Sequence, residues 1–341
     1  MATLGLNGKV TLMDIAQAMD PQGKIADVAE LLTQSNEILL DMPWFEGNMP
    51  TGHKASVRTG IPSAVWRQFY QGVPPVKTQR AQVLDTCAIL ENRTEVDKDE
   101  ADLNGNAAAF RLSEAAGIVE GMNQQMAAAL FYSDTSANPE RIHGLAPRFS
   151  SLSTATAATA ANVINAGGSG ADNSSIWLVG WGKLSAHGIY PKGSMAGLQH
   201  HDLGVIDAFD SNNQRFRAYA DWWQWKCGLH VKDWRGIVRI ANIDISNLVT
   251  ETGAADLVKL MIRAMARVPA ALRGSNFVFY ANRTVKEMLS IQALNKSQNA
   301  LSIVEAARQF GGVTVSMPEL RFFGYPVRTV DQLLTTEAVV S

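Results

Sequence analysis

Two cysteines, Cys87 and Cys227, are the only thiols in the chain. A pair so distant in sequence is a weak basis for a disulfide framework, so a reduced protein assembled in the cytosol is the simpler expectation. Charge is also scarce. Asp, Glu, Lys and Arg make up 18% of the 341 residues, against about a quarter in ordinary soluble domains. The formal net charge is −2, which lacks the basic excess that a dedicated nucleic-acid binder uses to neutralise phosphates. No apolar run reaches the roughly 18 residues a helical membrane span needs, so no membrane partner is expected. Met1–Val10 has no charged segment leading into an apolar run, and no secretory signal is expected. Internal repeats are not visible.

Apolar residues are plentiful, at 46%. A globular chain of this length buries roughly three quarters of its unfolded surface, in one or two domains. Few charges beside many apolar groups predict a surface partly covered by neighbouring molecules.

Along the chain, Asp14–Leu40 carries helix-spaced Ile25, Val28, Leu31 and Leu32, punctuated by Pro21, and Leu39–Pro50 reads as loop. Lys54–Gly60 and Lys77–Glu91 are β-prone and flank Ile61–Pro75, where Pro62, Pro74, Pro75 and Gly72 break any regular pattern. That is a long hairpin, and a lone hairpin needs a partner surface to be stable in water. Residues 94–104 are acidic and read as a solvated loop. Asn106 is then a plausible N-cap for the clearest helix, running to Tyr132. Its stripe is Phe110, Ala115, Ile118, Val119, Met122, Met126 and Leu130, and its length would be roughly 40 Å. Ser150–Ser175 is rich in Ser, Thr, Ala, Gly and Asn and reads as a loop or weak helix followed by a flexible turn. Strands are expected at Ile176–Trp181, Asn276–Tyr280, Val313–Ser316 and Phe322–Val330, helices at Leu257–Arg267 and Thr284–Ala293, and a hairpin or meander at Ala218–Asp244. The class is α+β.

No catalytic, cofactor or metal residue is assigned, and no enzyme is expected. His200-His201-Asp202 suggests a metal pair, yet adjacent side chains diverge on helix and strand alike. The run Asp97, Asp99, Glu100, Asp102 lacks the sixth-position glycine and twelfth-position glutamate of a calcium loop, and carboxylates are favoured before a helix N-terminus. Gly167–Gly170 is not followed by Lys-Ser or Lys-Thr, so it is no phosphate loop. Trp222, Trp223, Trp225 and Trp234 offer a stacking platform for a sugar or base, but aromatics packed in a sheet or at an interface are the commoner outcome. On a strand, Trp223 and Trp225 would share one face and Trp222 the other. The nucleophile-elbow pattern Gly-x-Ser-x-Gly is absent, and Cys87 is read as a small buried residue on a strand.

Four stretches carry a resemblance to the major capsid proteins of tailed bacteriophages, with the Hong Kong phage-type capsid fold. The first is the order of arm, long hairpin and long Ala-rich helix, which resembles the family's N-terminal arm, extended E-loop and spine helix. Gly144-Leu145, in Pro139–Phe149, is similar to a short turn after that helix. Gly324-Tyr-Pro-Val327 resembles the family's Gly-x-Pro-Val segment. The aromatic stretch Tyr219–Asp244, together with Gly188–Gly193, is similar to coat proteins of a group of such phages. The second half departs from the usual order. Only Arg328–Ser341 follows the Gly-x-Pro-Val segment, and the aromatic block precedes it. Either the topology is rearranged or the likeness stops short of the second half.

The resemblance implies an arm over 1–50, an E-loop over 51–93, a peripheral domain with the spine helix over 94–151, an axial domain over 152–310 and returning C-terminal strands over 311–341. It implies a structural subunit of the icosahedral head, in many copies as hexamers and pentamers, enclosing double-stranded DNA contacted non-specifically. A near-neutral charge suits a shell that must not pin that DNA. With no long charged extension ahead of the arm, the scaffolding protein would be separate; portal and decoration proteins are further implied partners. The place would be the virion, after assembly in the bacterial cytoplasm. Two alternatives remain: a carbohydrate-binding phage appendage or decoration protein, favoured by the tryptophans, and a metal hydrolase at His200–His201.

Overall fold

The computed structural model describes residues 36–102, 107–295, 301–310 and 313–341; the helix-spaced residues of 14–35 lie outside them. The described chain opens with one helical turn, α1 (Ile38–Asp41), and a short strand, β1 (Trp44–Glu46). The segment expected as loop therefore contains a strand, and β1 pairs in parallel with residues 188–190. Strands β2 (Gly52–Gly60) and β3 (Gln79–Thr86) form the expected antiparallel hairpin. Next, β4 (Ala88–Asp97) leads into the short helix α2 (Lys98–Asp102), so the acidic stretch is a strand end and a helical turn, not an open loop. The Asp97 carboxylate accepts the Asp99 backbone N–H at 2.9 Å, fixing that turn. Helix α3 (Ala107–Tyr132) follows, 26 residues long.

After the single turn α4 (Leu145–Arg148) come β5 (Val163–Asn165), β6 (Asn173–Trp181), β7 (Ala186–Tyr190), β8 (Leu198–Phe209), β9 (Arg215–Val231) and β10 (Ile237–Asp244). The chain then runs through α5 (Ile245–Thr250), α6 (Leu257–Arg267), β11 (Asn276–Ala281), α7 (Arg283–Asn295), β12 (Leu301–Phe310), β13 (Val313–Phe322) and β14 (Tyr325–Thr329). Among the described residues the chain divides into a smaller unit, Ile89–Met126 with Gly197–Lys226, and a larger one, Ser35–Ala88 with Ala127–Ala196 and Cys227–Ser341.

The larger unit is built on β6, every residue of which is buried. Its sequence alternates two apolar sets because successive side chains leave a strand on opposite faces. Ile176 and Leu178 join Phe277 and Phe279 of β11 and Val238 and Ile240 of β10 in one core. Helix α6 covers it with Leu257, Leu260, Met261 and Ala264, a three- and four-residue repeat, started by the Asp256 carboxylate capping the Lys259 N–H at 3.2 Å. On the opposite face Trp177 meets Phe131 and Phe149, with ring centroids 6.0 and 5.9 Å away. Each such fully buried aromatic contributes about 1.5–3 kcal/mol. Strand β6 pairs antiparallel with β10 on one side and β11 on the other. Phe323 and Gly324, at φ +48° and +87°, form the two-residue turn joining β13 to β14; positive φ at both positions matches the strand twist. That explains the glycine of the Gly-x-Pro-Val segment, and Val327 is buried in the core.

In the smaller unit β8 and β9 form a second long hairpin, with β4 alongside β9. Its tip is set by the Asp210 carboxylate, which accepts the N–H groups of Asn212 and Gln214 at 2.9 and 2.7 Å. A bulge at Asp202–Gly204 uses the positive φ of Gly204, +71°. The block expected as a hairpin or meander over Ala218–Asp244 is two strands with different partners: β9 pairs with β8 and β7, and β10 with β5 and β6.

Candidate functional site, an assembly surface

The hairpin of β2 and β3 is held at its root by Asp85, which is buried at 4% exposure. Its carboxylate accepts Arg148 Nη2 at 2.6 Å and the Val231 N–H at 3.1 Å, and pairs with His230 Nδ1 at 2.8 Å. Burial alone would raise the carboxyl's pKa. The His230 hydrogen bond and the Arg148 guanidinium outweigh it and hold the pKa below the ordinary value. Two glycines allow the close approach: a Cβ on Gly52 would lie 2.1 Å from the Asp85 carbonyl oxygen, and one on Gly228 2.9 Å from that of Thr86.

Beyond this root the hairpin tip is uncovered among the described residues. Residues 61–78 hold no strand. Ile61 is 87% exposed, Phe69 92%, and Trp66 and Tyr70 completely. Val65, Val73 and Val76 are exposed as well. An apolar patch of this kind marks an interaction surface.

A second buried network fixes the C-terminal segment in the larger unit. Glu337 takes hydrogen bonds from Tyr132 and Ser175 and an ion pair from Arg239 at 2.8 Å. Arg239 also donates to the Phe149 carbonyl at 3.0 Å. Gly144, at the expected turn after α3, lies so close to that helix that a Cβ would be 2.8 Å from the Ala129 carbonyl oxygen.

In the smaller unit Arg111 forks to Asp202 and Asp221, each at 2.8 Å. His200 bonds Asp221 at 2.7 Å and stacks on Trp223, with centroids 4.1 Å apart. His201 lies against Trp222, its partner across the hairpin, at 5.2 Å. The structure therefore separates the two histidines, each on its own tryptophan. One side of each of the Trp222 and Trp223 rings carries an imidazole. Trp225 is half-buried on the same strand, and Trp234 lies elsewhere, in the short turn Trp234–Gly236. Among the described residues no group of three His, Cys, Asp or Glu side chains is placed to hold a metal ion. Cys87 lies half-buried between β3 and β4, and Cys227 is buried; neither forms a disulfide among the described residues. Burial pushes their thiols up to about 11 and about 12.

The architecture has known counterparts. The sequence matches the family described as major capsid protein GP7 over residues 20–341. The chain belongs to this family of major capsid proteins. The solved structure of bacteriophage Epsilon15 is 36% identical, with a TM-score of 0.77, and the match covers 100% of this chain and 99% of that one. The capsid of bacteriophage JBD30 shares the fold at 10% identity and a TM-score of 0.50, over 95% of this chain and 99% of the other. No curated protein matches. The likeness runs through the second half, so its unusual segment order lies within the tailed-phage capsid fold. The subunit is a structural component of a phage head, located in the virion, and it assembles with many copies of itself.

Proposed function

We propose that this capsid subunit forms hexamers and pentamers that close around double-stranded DNA, with the β2–β3 hairpin lying across an adjacent copy. The observation carrying this reading is the exposed tip, where Trp66, Phe69 and Tyr70 have no cover among the described residues. A two-stranded hairpin is marginal alone in water, and burying each such side chain on a neighbour contributes about 1.5–3 kcal/mol. Obligate interfaces of this kind often exceed about 2,000 Å².

In this reading the arm is 1–50, the hairpin 51–93, the peripheral domain with α3 94–151, the axial domain 152–310, and the closing strands 311–341. A separate scaffolding protein, a portal and a decoration protein are the further partners, the packaged DNA is contacted non-specifically, and assembly takes place in the host cytoplasm. The subunit's role is association, without catalysis. The test is negative-stain electron microscopy of the chain expressed with its neighbouring phage genes, beside a variant lacking Ile61–Pro75. Closed shells are expected from the first and folded but unassembled subunits from the second. Normal particles from the deletion variant would remove the hairpin from this role.

A further inference from the structure

At the root of the hairpin two cross-strand pairs face one another. His53 on β2 is paired with Asp85 on β3, and His187 on β7 with His230 on β9. The three imidazoles are mutually close, with ring centroids 4.5, 5.2 and 6.0 Å apart. Beside them is a cavity of about 520 Å³ that opens to solvent, lined by His53, His187, Lys54, Lys183, Lys232 and Phe45. We propose that this cavity binds a phosphate group.

Three observations carry the proposal. The first is an excess of uncompensated positive charge. None of Lys54, Lys183 and Lys232 forms an ion pair among the described residues. Lys183 Nζ lies 4.8 Å from the Phe45 ring centre. Glu46, the one carboxylate in the lining, accepts the Gly193 N–H at 2.9 Å. Second, two imidazoles of the lining carry nitrogens without a hydrogen-bond partner. His187 is 5% exposed, and its Nδ1 is buried without a partner, as is Nδ1 of His53. A polar atom buried without a partner is costly, so a ligand that supplies one is favoured. Third, the size and the donor number fit the ligand. The volume falls in the range of about 300–1,000 Å³ usual for small-ligand pockets. Three ammonium groups and two imidazoles exceed the needs of one carboxylate. They suit a phosphate with nearly two negative charges and several strong acceptor oxygens. Burial is the first cause lowering the pKa of both His53 and His187, and a neutral imidazole offers only one N–H, so donation from both Nδ1 atoms to phosphate oxygens is coupled to proton uptake. The phosphate could be free in solution or part of a DNA backbone; the chemistry is the same, and it does not depend on where the hairpin tip lies.

The test uses the full chain in chloride buffer, titrated by calorimetry with inorganic phosphate and, separately, with a short DNA duplex. The variants are Lys183→Gln/Lys232→Gln and, as a control, Lys259→Gln on α6, with thermal unfolding checked for each. Phosphate binding is expected in the unaltered chain and in the control. In the double variant it should weaken by about tenfold per lost charge-assisted hydrogen bond. The nitrogen resonances of His53 and His187 should shift on phosphate addition, which merely structural lysines would not cause. Lysine-dependent binding of the duplex without binding of free phosphate would assign the source to DNA and also support the site. Binding of neither ligand, or equal binding by the double variant, would overturn it. Shell formation, scored separately by microscopy, keeps this outcome distinct from the role of the hairpin.

Discussion

Asp85 is the residue on which the hairpin root depends. Its carboxylate serves Arg148, His230 and the Val231 N–H together, and removing one member of a buried ion pair leaves its partner uncompensated. Asp85→Asn should therefore lower subunit stability by about 3–5 kcal/mol in urea unfolding; a change below about 0.5 kcal/mol would contradict the network. Acid should act at the same place. Burial, with His230 next, lowers the His187 pKa from 6.5 to about 4, and His53 is lowered too. The unfolded chain then takes up protons that the folded one refuses. Stability from these groups is complete above pH 6.5 and falls as pH drops from there toward about 4. The depressed Asp85 carboxyl extends the loss below its ordinary value of 3.8. The expected result is a thermal midpoint that declines steadily across that window, and a flat profile would count against it.

Among the elements, the hairpin tip and α3 separate folding from assembly. Trp66 and Phe69 are almost fully exposed among the described residues, so Trp66→Ser with Phe69→Ser should change unfolding free energy by less than about 0.5 kcal/mol yet abolish shells under the microscope. The helix should respond the other way. Ala116→Pro, in the middle of α3, removes a backbone hydrogen bond and clashes with the preceding turn, at a cost of about 3 kcal/mol or more, visible directly in subunit stability. The sequence stripe on α3 is real but unevenly used. Met122, Met126 and Leu130 are buried, while Val119 is exposed and Leu112 more so. Apolar spacing marks a face that can be covered; it does not say whether the cover comes from the same chain.

For the whole molecule, the low charge content and the apolar tip imply a shell held mainly by apolar contact. At molar salt, surface ion pairs are screened over about 3 Å, whereas apolar burial persists. Assembled shells should therefore keep their size in light scattering when salt is raised, and dissolution by salt alone would point to charge-driven contacts. The family likeness extends over the full chain, and the Gly-x-Pro-Val segment that stands late in sequence enters the main sheet as β14, parallel to β11.

The sequence by itself determined the elements whose signals are local. Leu257–Arg267 is legible from an amphipathic repeat after Asp256, α3 from alanine and an apolar stripe, β6 and β11 from unbroken apolar runs, and the hairpin from β-prone segments around prolines. Tertiary structure alone decided which strands pair. His200 and His201 looked like one pair of neighbours, but β9 places a tryptophan opposite each. The strands β9 and β10, adjacent in sequence, took separate partners, and β8 became visible only as the mate of β9. The reason is physical: strand pairing is chosen by backbone groups distant along the chain, and the local pattern fixes only which face is apolar. The root of the hairpin shows the same limit. Asp85, Arg148 and His230 carry no common motif, and only the fold brings them within hydrogen-bond reach.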